Sequence, residues 1–399
     1  MANEAGSNPL AYLGEQLALW KQEGTYQRLR ELQTACGPVC RVDGREVINL
    51  ASNNYLGLAD HPKLKEAAIE AIRKYGVGSG AVRTIAGTMS LHLELERRIA
   101  EFKRTEASVV FQSGFAANAG TVAAILGPED HIVSDELNHA SIIDGCRLSK
   151  AKIHVFPHKD VQAADRILSE LAGKPGRKLL ITDGVFSMDG DIAPLPELVE
   201  VAERHGAIMM VDDAHASGVL GRAGRGSVDH FDLHGRVHIQ VGTLSKAIGA
   251  LGGYVCGSRE LIEYLYHRAR PFLFSTSHPP SVAATCLAAF DLLEQEPDRI
   301  ERLWSNTEYF KNALRAAGFQ TGASQTPITP VLVGDAALAF KFSAELFEEG
   351  VFATGVGYPT VPKGKARIRT IVTAVHTGEQ LDRAVEVLKR VARRLGILA

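Results

Sequence analysis

Ala207-Ile208-Met209-Met210-Val211-Asp212-Asp213-Ala214-His215-Ala216-Ser217-Gly218 is a short apolar run that breaks into polar residues, and its reading decides the fold. A brief, continuously apolar segment with no alternation suits a strand covered on both faces, as in a parallel sheet. The same pattern recurs on either side. Lys178 to Thr182 ends in Asp183-Gly184-Val185-Phe186-Ser187-Met188-Asp189-Gly190, and Val237 to Val241 ends in Gly242-Thr243-Leu244-Ser245-Lys246-Ala247. In an open α/β sheet the ligand crevice lies beyond the carboxyl ends of the strands, so the three polar clusters are expected to face one site. Singly, Asp212 would pass as a helix cap and His215 as a core histidine. Jointly they point to chemistry.

A lysine at the end of a core strand is costly unless it is used. Lys246 is a candidate for a depressed pKa and for bonding to a carbonyl carbon, the alternative being a side chain that snorkels to solvent. The organic cofactor that needs a lysine anchor for its aldehyde and a buried carboxylate is pyridoxal 5'-phosphate, whose ring nitrogen must stay protonated to draw electrons. Asp212 fits the ring nitrogen. Asp213, one residue on, points to the opposite side of an extended chain and is the weaker candidate. His215 and Ser187 are candidates to hydrogen-bond the phenolic oxygen. For the phosphate, Ala107 to Phe111 reads as a strand, and Gln112-Ser113-Gly114-Phe115 leads into a helix-forming run, Ala116 to Leu126. Backbone amides at a helix N-terminus, with a glycine allowing close approach, seat a phosphate. An ordinary strand-to-helix turn is the alternative, and Lys246 tips the balance.

Asn138-His139-Ala140-Ser141-Ile142-Ile143-Asp144-Gly145, taken with Asp212 to His215 and Thr243 to Lys246, resembles the α-oxoamine synthases. These are pyridoxal-phosphate enzymes of the aminotransferase-like (type I) α/β fold. The resemblance runs from Asn53-Asn54-Tyr55-Leu56-Gly57-Leu58 to Ala366-Arg367-Ile368-Arg369-Thr370. Within the family, residues 138–151 and 358–370 are most similar to glycine C-acetyltransferase. That similarity implies an acyltransferase condensing glycine with acetyl-CoA to 2-amino-3-oxobutanoate and CoA, in threonine and glycine metabolism. The alternatives are 8-amino-7-oxononanoate synthase chemistry with alanine and pimeloyl-CoA in biotin synthesis, a dual-specificity enzyme, an aminotransferase without coenzyme A, and a protein that has lost catalysis.

The resemblance also assigns roles. His139 stacks on the cofactor ring, and Arg369 pairs with the amino acid carboxylate, with Arg367 as its solvent-side neighbour and Asn53 as a further carboxylate contact. Thr243 and Ser245 touch the phosphate, and Ser275 and Thr276 reach it from the partner subunit of a homodimer. Lys246, His139 and Asp212 are the expected catalytic residues, Lys246 anchoring the aldehyde and then removing the substrate's Cα proton.

Composition agrees with a soluble enzyme. The 399 residues carry a formal charge of −2, which gives no bulk attraction to nucleic acid, and the basic residues are dispersed. Five cysteines without a C-x-x-C pair argue for a reducing compartment and against a zinc site. Met1 to Leu10 lacks a charged region followed by an apolar one, and no run approaches the ~20 apolar residues of a membrane span, so a cytoplasmic location is expected. No dinucleotide G-x-G-x-x-G or G-K-[ST] loop is present.

Along the chain, Leu10 to Gln33 reads as an N-terminal helical arm and Val39 to Ala51 as a hairpin turning at Asp43-Gly44. Leu91, Leu95, Ile99 and Phe102 recur at helical spacing. Strands and helices alternate from about 60 to 290, and a smaller α+β region follows, with a capping box at Thr377-Gly378-Glu379-Gln380. The expected units are residues 1–59 (arm and hairpin), 60–290 (large cofactor-binding domain, mostly parallel sheet) and 291–399 (small C-terminal domain).

Overall fold

In the computed structural model, which describes residues 8–398, Asp43 and Gly44 take positive φ angles of 46° and 80°. Such a pair closes a two-residue turn, folding β1 (Val39–Val42) onto β2 (Arg45–Asn49). The segment Met1 to Leu10, for which no leader was expected, lies largely outside the described residues. The N-terminal arm is shorter than expected. Its helix spans Ala11–Gln22 only, because Gly24 adopts a left-handed φ of 67° and the chain then runs extended beside β1, with Gln33 N donating to Arg41 O.

Seven strands follow: β3 (Ala107–Phe111), β4 (His131–Asp135), β5 (Lys152–Phe156), β6 (Lys178–Asp183), β7 (Ile208–Asp212), β8 (Ile239–Thr243) and β9 (Gly253–Gly257). They form one sheet in the order β3-β9-β8-β7-β6-β4-β5, in which only β9 runs antiparallel to its neighbours. Helices cover both faces, and this explains the unbroken apolar runs. Along β7, Met209 and Val211 pack with Leu180 and Leu198 on one face while Met210 packs with Ile181 and Ile142 on the other.

The C-terminal part builds a small sheet from β10 (Ile328–Gly334), β12 (Thr354–Val356) and β13 (Ala366–Ile371), while β11 (Val351–Phe352) adds in parallel to β2. The hairpin therefore shares a core with this part, where Ile48 and Leu50 meet Phe310, Val331, Ile368 and Leu388. The helix Gly378–Arg394 starts at the expected Thr377/Gln380 capping box. Ile371 N donates to Leu50 O and Ala374 N to Tyr55 O, fixing the Asn53 to Tyr55 segment between the two sheets. No helix among the described residues is long and apolar enough to cross a membrane.

Candidate active site

Adjacent parallel strands bring the polar clusters together. Asp183 and Asp212 are register partners at the ends of β6 and β7, and Asp212 faces Val241 on β8, five residues before Lys246. Asp212 Oδ1 accepts from Ala214 N (2.8 Å) and Oδ2 from Asn118 Nδ2 (2.6 Å). Asp183 accepts the His139 backbone N–H at 2.8 Å, and Asn138 Oδ1 accepts from Asp183 N. Burial pushes the Asp183 carboxyl well above the usual carboxylate range, and the Asp212 charge adds to it.

Burial brings the Lys246 amine down to about 8, with the Arg369 charge assisting and Asp212 and Asp183 opposing. An amine with that pKa has a sizeable unprotonated fraction near neutrality, which a nucleophile or base needs. His215 is held well below its ordinary value by burial first and then by Lys246 and Arg369, and its Nδ1 lies 2.7 Å from the Tyr55 hydroxyl. His139 opens onto the cleft, yet desolvation and the Lys246 charge lower its pKa against Asp212.

The helix Gly114–Ile125 begins at the end of β3. Ser113 caps it by accepting from Ala116 N, which leaves the amides of Gly114 and Phe115 without intrahelical partners. A Cβ built on Gly253 would stand 2.5 Å from Gly114 N, and one on Gly114 would stand 3.4 Å from Thr243 Cβ. Glycine at 253 is what lets β9 and the helix start close on each other, while a side chain at 114 would only touch Thr243 at ordinary contact distance. Thr243 Oγ1 and Ser245 Oγ, 2.7 Å apart, line this cradle. Thr276, expected from a partner subunit, is exposed in this chain: its carbonyl accepts from Gln112 Nε2 at 2.8 Å, and its backbone pairs with Val82. Ser275 precedes it, half-buried. An anion seat, a buried amine of lowered pKa and a buried carboxylate converge, and this donor set fits pyridoxal phosphate.

Arg369 on β13 reaches across to the same place, its Nε donating to Ser187 O (2.6 Å) and its Nη2 to Asn53 Oδ1 (3.2 Å). Arg367 is not the solvent-side neighbour that was expected. Its side chain is 4% exposed, because the loop after β6 covers it: Nη1 donates to Met188 O and pairs with Asp189. Outside His139 a cleft of about 670 Å³ runs between Ile143, Phe186, Met188 and the turn from Tyr358 to Pro362.

Four contributors lie outside the expected site residues. Asp183 carried the same strand-end signal as Asp212. Tyr55 stood inside a quoted motif without a role. Asn118 and Ser141 are a buried polar pair, joined at 2.9 Å; Ser141 stood inside a quoted motif without a role, and the only mark of Asn118 in the sequence is polarity within an apolar helical run.

Residues 45–388 match the family described as aminotransferase class I and II. The chain is 62% identical over 387 residues to an 8-amino-7-oxononanoate synthase of Symbiobacterium thermophilum, covering 97% of this chain and 99% of that one. It is 55% identical to 8-amino-7-oxononanoate synthase 1 of Bacillus subtilis, covering 97% and 98%. Among solved structures, Sphingomonas wittichii serine palmitoyltransferase superposes with a TM-score of 0.93 at 32% identity, covering 98% of this chain and 100% of that one. These relatives overturn the expectation of glycine C-acetyltransferase, and with it glycine, acetyl-CoA and threonine metabolism as the setting. The two runs that suggested it mix scaffold with cleft lining: Asn138 ties Ser134, Ile181 and Asp183 together, while Ile143 and the turn from Tyr358 to Pro362 border the cleft. The chain belongs to the aminotransferase class I and II family and, within it, to the pyridoxal-phosphate-dependent α-oxoamine synthases.

Proposed function

We propose that the chain condenses alanine with pimeloyl-CoA to give 8-amino-7-oxononanoate, coenzyme A and carbon dioxide. The observation that carries this reading is the 62% identity to the Symbiobacterium synthase across 97% of the chain. A pimeloyl chain joined to alanine holds one carbon more than a nonanoate, so the alanine carboxyl leaves as carbon dioxide.

Bound pyridoxal phosphate supplies an aldehyde that condenses with amines and a ring that takes up the electron pair left on Cα. Lys246 would hold the cofactor's aldehyde and, once freed, its amine would take the substrate's Cα proton. Asp212 keeps a proton on the ring nitrogen, while Asn118 and Ala214 fix the direction of its carboxylate. His139 would lie against the bound ring. His215 and Ser187 serve the phenolic oxygen, and Tyr55 holds the His215 ring. The amides of Gly114 and Phe115, with Ser113, Thr243 and Ser245, take the phosphate. Arg369 and Asn53 take the alanine carboxylate.

A second copy of the chain is the source proposed for Ser275 and Thr276 as further phosphate contacts, in a homodimer. Support comes from two exposed aromatic side chains, Phe115 in the first turn of the helix after Ser113 and Phe274 next to Ser275.

Carboxyl-labelled alanine tests the reaction. Coenzyme A and labelled carbon dioxide are expected in equal amounts, and thiol release without labelled carbon dioxide rejects the reading.

A further inference from the structure

Asn118 is fully buried in the alanine-rich helix Gly114–Ile125. Its one amino group serves two acceptors, Asp212 Oδ2 at 2.6 Å and Ser141 Oγ at 2.9 Å. The amide cannot be turned over. Reversed, its Oδ1 would face a carboxylate oxygen at that distance, and both acceptors would lose their donor. Since Ser141 Oγ accepts from Asn118, its single hydrogen is free for His139 Nδ1, 2.7 Å away. The Ser141 backbone N–H points at the same nitrogen from 3.2 Å. Two donors converge on Nδ1, so Nδ1 carries a lone pair, and the proton of the neutral ring belongs to Nε2. The lowered pKa of His139, set by burial and by Lys246, agrees with a neutral ring. Hydrogen-bond polarity is thus fixed through the whole chain of groups, with the Asp212 carboxylate as its terminus.

We propose that Asn118 and Ser141 are positioning residues that lock His139 as the neutral Nε2–H tautomer and leave that N–H as a donor toward the cleft. The buried amide that steadies Asp212 on one side of the site therefore also sets the chemistry of His139 on the other. Nε2 is the ring nitrogen the network leaves unused, and His139 lines the cleft in which substrate groups must lie. A histidine held only by stacking would exchange tautomers freely. This one has its acceptor nitrogen occupied twice from within the protein. The lock itself is independent of the proposed reaction, because it uses only side chains of this chain.

The test begins with the cofactor-free protein labelled with nitrogen-15 in its histidines, His139→Asn identifying the ring signals in long-range proton–nitrogen spectra. At neutral pH the wild type is expected to show an unprotonated Nδ1 and a protonated Nε2. A protonated Nδ1 in the wild type overturns the proposal outright, whatever the variants do. In Ser141→Ala and in Asn118→Ala a second population with Nδ1 protonated is expected, while Ser141→Thr keeps the single tautomer. With cofactor, Ser141→Ala is expected to lose about tenfold in kcat, the scale of one hydrogen bond, with the amino acid KM changed less than about twofold. Ser141→Thr restores kcat. A lower melting temperature in Ser141→Ala with an unchanged tautomer and kcat would mark the pair as purely structural and reject the proposal. Failure of the alanine and pimeloyl-CoA reaction would leave the spectra unaffected, so the two readings fail separately.

Discussion

Asp212 and Asp213 are consecutive residues whose carboxylates turn apart: Asp212 takes the Asn118 amide at 2.6 Å, and Asp213 takes the Lys103 ammonium at 2.7 Å, with neither side chain of that ion pair exposed. Asp213 also accepts from Ser227 N, and Lys103 donates to Arg225 O, so the pair pins the segment after β7. Removing the Asp213 charge would strand a buried ammonium. Asp213→Asn is expected to lose about 3–5 kcal/mol of stability, read by denaturant unfolding. Asp212→Asn is expected to unfold near the wild-type midpoint while turnover collapses. Equal stability losses in the two variants would contradict this division.

Lys246→Ala removes anchor and base together. Turnover is expected to fall by several powers of ten, and the visible absorbance of covalently held cofactor to vanish, in an otherwise folded protein. The lowered amine pKa adds a pH dependence. Only the neutral amine attacks an aldehyde, so uptake of pyridoxal phosphate by the cofactor-free protein should quicken as pH rises and level off above about 8. A plateau reached only near 10.5, the ordinary lysine value, would deny the lowering.

Arg369 and Arg367 lie on the same face of β13, and the loop after β6 separates their tasks. Arg369→Lys is expected to raise the amino acid KM by about tenfold and leave the acyl-CoA KM unchanged, because a bidentate contact becomes a point charge. Arg367→Lys weakens the tie to Met188 and Asp189 and is expected to lower melting temperature with a smaller effect on that KM. A larger KM effect from Arg367→Lys would exchange the assignments.

His158 sits between Asp135 (3.1 Å) and Asp191 (2.9 Å), joining the end of β4 to the loop that carries Ser187. Burial works against its charge, but the two carboxylates outweigh it and raise the pKa from 6.5 to about 9. A folded-state value above the unfolded one means the stabilisation is complete below pH 6.5 and is lost as pH rises through about 9. The melting temperature of His158→Gln is therefore expected to fall short of wild type most at pH 6 and to converge with it by about pH 10. A gap that widens with pH would contradict the charge assignment.

Much of this was legible in the sequence for a definite reason. Strands covered on both faces must be apolar throughout, so β6, β7 and β8 announced themselves, and in a parallel sheet their polar ends had to converge. That was enough to place Lys246, Asp212 and His215 in one neighbourhood. Asn118 was not legible. In the sequence it is one polar residue among alanines, and its partners lie 23 and 94 positions away. Alternation put Arg367 and Arg369 on one face, and only the covering loop distinguishes them. The N-terminal helix was read too far because a single glycine, Gly24, outweighs the helical run before it. The substrate was misread because choosing glycine or alanine turns on the space for one methyl group, worth only about 1–3 kcal/mol in an apolar pocket. Motifs that orient the cofactor do not record that space.

The central claim is the pairing of alanine with pimeloyl-CoA, and its most direct test is a matrix of kcat/KM values for alanine and glycine against pimeloyl-CoA and acetyl-CoA, followed by thiol release. The alanine and pimeloyl-CoA pair is expected to exceed the glycine and acetyl-CoA pair by at least about tenfold, a difference of ~1.4 kcal/mol in transition-state stabilisation. The reverse order by the same margin would contradict the account.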